Sequence, residues 1–390
     1  MAESTHQTTR QSDLRRQRWA VLGVVLLLLA AVAVPQAFRF AEKAKPVDLP
    51  PPLTPSPAGQ FRGIALQLHS NDPNIPFEKY VEEIARTGAN TICLSTAAYQ
   101  ENTGANSVFI DSRRSPPADR LIGLIELSHK RGLRVVLMPI VLLENPGAGE
   151  WRGLIDPPRP DEWWEDYENV ILFYAKVAER GKAEMLMVGS ELISLERQTG
   201  RWRTLIGKVR KVYRGRLSYS ANWDHYEVPK FWSDLDVIGM TVYYDLVGQK
   251  KPSLEVLLES WKPIKKRVLR WQRTQGKPII FTEVGWPSMV GCAKEPWNYV
   301  TGQKPDLRTQ DLCFQAFFRT WRGEPVVAGA LIWEWRNAPG QHGGPLDTSY
   351  VPINKPAMQT IQEYFKSPGA APPTRASTSP AATSGTRPAD

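Results

Sequence analysis

Three observations predict an α/β fold, a (β/α)8 TIM barrel built as a single domain. Eight short apolar runs alternate with longer amphipathic segments. They fill one body of about 300 residues, the usual size of such a barrel. No G-x-G-x-x-G turn follows the first run, which removes the dinucleotide-binding alternative of an open sheet. Around that body the sequence predicts an N-terminal membrane segment and a disordered C-terminal tail.

The runs lie at 63–69, 91–95, 134–142, 185–191, 216–222, 237–244, 278–284 and 329–335. Each is too short and too evenly apolar for a surface helix and reads as a strand buried on both faces. Between and after them, helical patterns cover 77–87, 117–130, 161–180, 202–213, 253–273, 308–322 and 355–365. The first of these puts Tyr80, Val81 and Ile84 on one face. The third places Val170, Phe173 and Val177 together and starts at Asp161, an N-cap type after Pro160. Gly132 and Gly181 stand where helix stops are expected. Strand-helix alternation of this kind demands a parallel sheet covered by helices, and eight repeats close it into a barrel.

The ends are outside that pattern. Residues 1–18 form a basic, cytoplasmic N-terminus, and 19–40 a signal anchor or signal peptide. The stretch from Trp19 to Val34 contains only apolar residues and glycine, with Arg10, Arg15, Arg16 and Arg18 before it. Ala31 and Ala33 run straight into Val34 and Pro35, a poor cleavage site, so an uncleaved anchor in the cytoplasmic membrane is expected, with secretion the outcome if the segment is cleaved. The body would then be extracytoplasmic. Residues 41–60 form a proline-rich linker, 61–366 the barrel domain, and 367–390 a tail of mainly Pro, Ala, Ser and Thr without an aromatic residue.

Composition narrows the function. With 42% hydrophobic and 23% charged residues the chain can bury a large core. The net charge of +9 comes partly from the ends, and the rest is spread over many helices without a basic run, so no nucleic-acid partner is expected. The five His are scattered, with no H-x-H or H-E-x-x-H, so neither metal nor cofactor is expected. Cys93 sits in an apolar run, whereas Cys292 and Cys313 flank the long loop after the seventh run; in an oxidising compartment these two are expected to form a disulfide.

In such a barrel the chemistry sits at the C-terminal ends of the strands. The fourth run finishes Gly189-Ser190-Glu191 and the seventh Thr282-Glu283-Val284. Two carboxyl groups facing one another across a barrel mouth are what retaining glycoside hydrolysis needs, one as acid/base and one as nucleophile. The competing reading is that each acid pairs with a nearby Arg or Lys and holds a loop. Aromatic residues end other runs: Trp223, Tyr243, Tyr244, Trp333 and Trp335. Flat indoles at a strand end suit the apolar faces of sugar rings, whereas Trp163, Trp164, Trp261 and Trp271 lie on helices and read as packing.

Several stretches resemble glycoside hydrolase family 113: Trp151-Arg152-Gly153, the helix from Asp161 to Tyr174, Val188-Gly189-Ser190-Glu191-Leu192, Tyr219-Ser220-Ala221-Asn222-Trp223, Phe231-Trp232 and Tyr243. The resemblance covers roughly 61–340. It implies a (β/α)8 retaining hydrolase acting on β-1,4-mannan, with Glu191 as acid/base, Glu283 as nucleophile and Tyr243 donating to the nucleophile. Trp333 would floor the sugar site, and the substrate-binding set would be Ser190, Asn222, Trp223, Trp286, Trp333 and His69. Two departures stand out: Ser190 precedes the acid/base where the clan usually has Asn, and Met138-Pro139-Ile140 replaces a Lys-Pro-His run. The stretch around Glu283 is also similar to β-1,3-glucanases. The expected function is therefore a retaining hydrolase of a β-linked polysaccharide, mannan-like, with Glu191 keeping its proton while Glu283 stays ionised. A β-glucanase, an exopolysaccharide-trimming hydrolase and a non-catalytic glycan-binding barrel are the alternatives. The loops 144–160 and 287–306 are expected to shape the cleft.

Overall fold

A computed structural model describes residues 59–300, 304–335 and 343–366. The expected N-terminal anchor, nearly all of the linker and the C-terminal tail lie outside the described residues. Among the described residues no helix is long and apolar enough to cross a membrane.

The eight strands are β1 (Phe61–Gln67), β2 (Thr91–Gln100), β3 (Arg134–Leu143), β4 (Met185–Ser190), β5 (Arg216–Ala221), β6 (Ile238–Thr241), β7 (Ile279–Val284) and β8 (Val327–Ile332). They pair in sequence order, all parallel, and β1 closes on β8 through registers such as Phe61 against Gly329. The helices are α1 (Phe77–Arg86), α2 (Ala118–Lys130), α3 (Pro160–Gly181), α4 (Thr199–Val212), α5 (Leu254–Gln275), α6 (Leu307–Trp321) and α7 (Pro356–Lys366). Between β5 and β6 the described chain has only a 3-10 turn at Trp232–Asp234.

Alternation along the strands makes two cores. Ala65, Cys93, Val136, Met138, Met185, Met187, Ile280 and Leu331 fill the barrel, while Ile64, Ile92, Leu137, Leu186 and Tyr219 point outward and meet the helices. Cys93 is thus a buried apolar filler.

Local signals set most element ends, with corrections. Ser253 caps α5 by accepting from the Val256 N–H at 3.3 Å, and Gly276 ends that helix with φ 64°. Asp306 caps α6 by accepting from the Thr309 N–H at 3.0 Å. Helix α3 begins at Pro160 rather than Asp161, because proline is well suited to the first helical position. Its stop is Lys182 in the left-handed conformation, not Gly181, which is the last helical residue. Glycine is needed at 181 for packing: a Cβ there would meet Ile125 Cδ1 at 2.7 Å. Strand β2 runs five residues past its expected end because Thr96 to Gln100 continue the ladder with Pro139 to Leu143. Strands β6 and β8 end at Thr241 and Ile332, short of Tyr243 and Trp333, which places those two residues at the mouth.

Candidate active site

Both strand-end carboxylates are buried, Glu191 at 5% exposure and Glu283 at 3%, and both follow breaks in strand register. The β4–β5 ladder shifts between Met187 and Ser190. The β7 ladder shifts against β8 between Phe281 and Val284, and against β6 beside Thr241 and Glu283. Such irregularities re-aim side chains at a strand end. Glu191 has φ 53°, in the left-handed region. Its N–H donates to Ser220 O at 2.8 Å, and the Leu192 N–H donates to the Tyr219 hydroxyl at 2.9 Å.

Glu191 has a cation beside it. The Arg152 guanidinium, from the 3-10 turn Arg152–Leu154 after β3, donates from Nη2 to Glu191 Oε2 at 2.5 Å. His69 lies near the same guanidinium; burial, with the Arg152 charge adding to it, lowers its pKa to about 4, so the imidazole is neutral at pH 7. Its Nε2 is buried without a hydrogen-bond partner.

Glu283 is held differently. The Tyr243 hydroxyl donates to its Oε2 at 2.8 Å, while Oε1 is buried and without a partner. Burial pushes the Glu283 carboxyl up to about 8; the Glu191 charge adds to the rise, Arg152 and the Tyr243 hydroxyl oppose it, and Glu334 adds again. At Glu283, burial and the neighbouring Glu191 and Glu334 carboxylates together outweigh Arg152 and the Tyr243 hydroxyl.

Three neighbours escaped the sequence reading. Glu334 is buried and accepts from Gln67 Nε2 across the β8–β1 seam. It follows Trp333 through a cis peptide bond. A carboxylate between two Trp at a strand end was the signal available. Tyr350 packs its ring 6.2 Å from that of Tyr243 and donates to Pro296 O at 2.5 Å, and no sequence pattern marked it. Arg152 stood in view within Trp151-Arg152-Gly153, but its partner was invisible.

The remaining expected residues divide. Trp333 is half-buried over the barrel filling, and its N–H donates to Val284 O at 2.9 Å. Gly285 lets it come close, since a Cβ at 285 would sit 2.4 Å from Trp333 O. Ser190 Oγ is buried with no partner. Trp223 is half-buried, with its ring stacked on Trp297 at 6.1 Å and edge-on to Tyr244 at 4.9 Å. Trp297 and Tyr299 leave the loop after β7 46% and 70% exposed, so that loop presents aromatic surface. Asn222 Nδ2 donates to Asp224 Oδ1 at 2.6 Å.

Trp286 is a correction: it is fully buried against Phe314 and Phe317 of α6 and presents no face to a sugar. Trp335 likewise turns away and donates to Glu83 of α1 at 3.0 Å. Cys292 and Cys313 are brought together, but as buried free cysteines and not as a disulfide. Among the described residues no group of His, Cys, Asp and Glu is arranged to hold a metal ion.

No curated protein matches the chain by sequence. Among solved structures, a β-1,4-mannanase of glycoside hydrolase family 113 superposes with a TM-score of 0.71 at 28% identity, covering 79% of this chain and 99% of its own. A family 113 β-mannanase from Alicyclobacillus acidocaldarius, solved in complex with ManMIm, gives 0.70 at 26% identity, covering 79% of this chain and 97% of its own. A β-glucuronidase from Faecalibacterium prausnitzii, 12% identical with a TM-score of 0.54, shares the fold; the match covers 78% of this chain and 48% of that one. The profile of Glycoside Hydrolase Family 113 matches residues 76–355, a span that contains Arg152, Glu191, Tyr243, Glu283 and Trp333. With the closed barrel and two buried carboxylates at its mouth, that match settles the family: the chain belongs to glycoside hydrolase family 113.

Proposed function

We propose that this chain cleaves a neutral β-linked polysaccharide of the β-1,4-mannan type with retention of anomeric configuration. The observation that carries the reading is the asymmetry at the mouth. Glu283 has one carboxylate oxygen fixed by Tyr243 and the other unoccupied, and Glu191 stands opposite on β4. In the first step Glu283 Oε1 attacks the anomeric carbon while Glu191 gives its proton to the departing glycosidic oxygen, so that a glycosyl ester forms as the chain breaks. In the second, Glu191 takes a proton from water, which attacks the ester and frees Glu283. This cycle starts from the microstate with the proton on Glu191 and the charge on Glu283. The Tyr243 hydroxyl favours charge on Glu283 against the cost of its burial, and the Arg152 guanidinium, bonded to Glu191, stabilises negative charge on either carboxylate.

Trp333 and Trp223 offer the flat surfaces on which sugar rings rest. The mannan assignment follows the two family 113 relatives; the stretch around Glu283 keeps β-glucan as the runner-up. We further propose that residues 19–40 tether the enzyme to the outer face of the cytoplasmic membrane, on the strength of the apolar run and the arginines before it. Purified protein is assayed on mannan, β-glucan and xylan. Mannan cleavage with first-formed product of retained configuration by proton NMR is the expected result. An inverted product breaks the double-displacement mechanism, and binding without cleavage of any of the three makes the chain a glycan-binding barrel.

A further inference from the structure

Outside the barrel wall, just past the end of β4, lies a buried carboxyl that the reaction does not use. Glu196 follows the 3-10 turn Ile193–Leu195 and is 0% exposed. Its Oε1 accepts from the Tyr219 hydroxyl at 2.9 Å. Its Oε2 has no hydrogen-bond partner; the ring nitrogen Nδ1 of His225 is 3.6 Å away, beyond hydrogen-bonding range. Burying a carboxyl with one oxygen unmatched is costly, so the fold keeps Glu196 against a penalty.

The same Tyr219 hydroxyl that donates to Glu196 accepts from the Leu192 N–H at 2.9 Å. Leu192 is the residue after Glu191, and Glu191 holds the left-handed backbone, φ 53°, which a side chain with a Cβ adopts only when its surroundings enforce it. Strand β5 supplies both restraints. Ser220 O takes the N–H of Glu191 itself, and Tyr219 Oη takes the N–H of the next residue. The first is a fixed backbone atom. The second sits at the tip of a side chain and stays in place only as well as that tip is held.

Tyr219 is held on two sides. Its ring is packed by Trp202 of α4 at 5.1 Å and Phe231 at 5.4 Å. Gly189 lets it approach β4, because a Cβ there would stand 3.0 Å from the Tyr219 ring and 2.7 Å from the Tyr167 hydroxyl. Packing fixes the ring but leaves the hydroxyl hydrogen free to rotate; an acceptor fixes it. Glu196 is that acceptor. By drawing the hydrogen to itself it leaves a lone pair of Tyr219 Oη aimed at the Leu192 N–H.

We propose that Glu196 is a positioning residue for the acid/base: through the Tyr219 hydroxyl it locks the left-handed turn that aims the Glu191 carboxyl at the glycosidic oxygen. The proposal rests on the assignment of Glu191 as acid/base, and it makes a demand that a general stabilising role does not. Loss of the lock should harm only reactions that need a proton delivered to the leaving group.

The experiment compares kcat/KM, which reports the bond-breaking step, on soluble β-1,4-mannan and on dinitrophenyl β-mannobioside, whose leaving group departs without a proton. The full chain is used as parent, Tyr219→Phe, Glu196→Ala and Glu196→Gln. Tyr219→Phe keeps the packed ring and deletes both hydrogen bonds, so it reports even if Glu196→Ala does not fold. Tyr219→Phe and Glu196→Ala should lower kcat/KM on mannan about tenfold or more, as expected for a misplaced catalytic group, and change the dinitrophenyl substrate by no more than about twofold. Glu196→Gln retains an acceptor for the hydroxyl and should restore most of the mannan activity. Equal losses on both substrates, or no loss on mannan, overturn the proposal. A parent that cleaves neither substrate overturns the hydrolase reading, and the clamp falls with it.

Discussion

Glu191 and Glu283 are the same residue type, equally buried, at the ends of strands on opposite sides of one barrel, yet the fold supports them in contrasting ways. Glu283 closes the ladder of β7 with a phenol on one oxygen and nothing on the other. Glu191 lies just past its strand in a strained backbone conformation, tied through main-chain N–H groups to β5 and through its carboxylate to Arg152. The contrast matches the roles proposed for the two. A nucleophile needs a bare, charged oxygen, and a neutral hydroxyl stabilises that charge without covering the attacking atom. A proton donor needs direction, because its proton has to meet one oxygen of the substrate, and direction is best set by the backbone. The site therefore holds Glu283 through its side-chain neighbours and Glu191 through its main chain as well as through Arg152.

The most severe way to break this comparison is to delete the attacking atom. Glu283→Ala should lower kcat on mannan by about 10⁴-fold, as for loss of a nucleophile that acts in concert with its partners. A steady-state assay checks it, and a loss below tenfold would move the nucleophile elsewhere. Glu191→Ala should cost about 10²- to 10⁴-fold on mannan and far less in kcat/KM on dinitrophenyl β-mannobioside, because only the first substrate needs a proton. Identical losses on the two substrates would mean that Glu191 does not act as the acid.

Subtler changes sharpen the contrast. Tyr243→Phe removes the donor that favours the Glu283 anion. The Glu283 carboxyl then rises further from its present position of about 8, and the acid limb of the kcat/KM profile should move to higher pH by about one unit. Measuring kcat/KM from pH 5 to 9 checks this, and an unmoved limb would remove Tyr243 from that role.

The smallest expected effect is on stability. Burial raises the carboxyls of Glu283 and Glu196 each to about 8. Both bind a proton more tightly folded than unfolded, where a Glu carboxyl titrates near about 4.3. Their contribution to stability is complete below that value and is lost as pH climbs through about 8. Tm should therefore fall as the pH rises from 5 to 8, and Glu196→Gln with Glu283→Gln should flatten that slope. An unchanged slope in the double variant would place the pH dependence in other groups.

The two carboxylates were legible in the sequence because each ends an apolar run, and a barrel puts strand ends at its mouth. Their roles in space were less so. Arg152 reaches Glu191 from a loop 39 positions away, and Glu334 meets Gln67 across the seam that joins the last strand to the first. No local pattern encodes either pair. Trp286 misled because it lies two residues past the end of β7, where strand alternation no longer fixes direction, and α6 offered its ring an apolar bed. The cysteine pair was close to the mark in position. Its members are buried neighbours without a bond between them.

What the sequence determined by itself was the alternation. Short apolar runs and amphipathic segments have only a few stable arrangements, and eight of them in series close into a barrel whose mouth collects the strand ends. What the tertiary structure decided was the environment of each group at that mouth: the register breaks that turn Glu191 and Glu283 inward, the guanidinium beside one, the phenol beside the other, and the buried carboxyl behind β5. Periodicity is local and survives in one dimension. Burial, charge crowding and a hydrogen bond between distant loops are properties of groups that become neighbours only when the chain has closed.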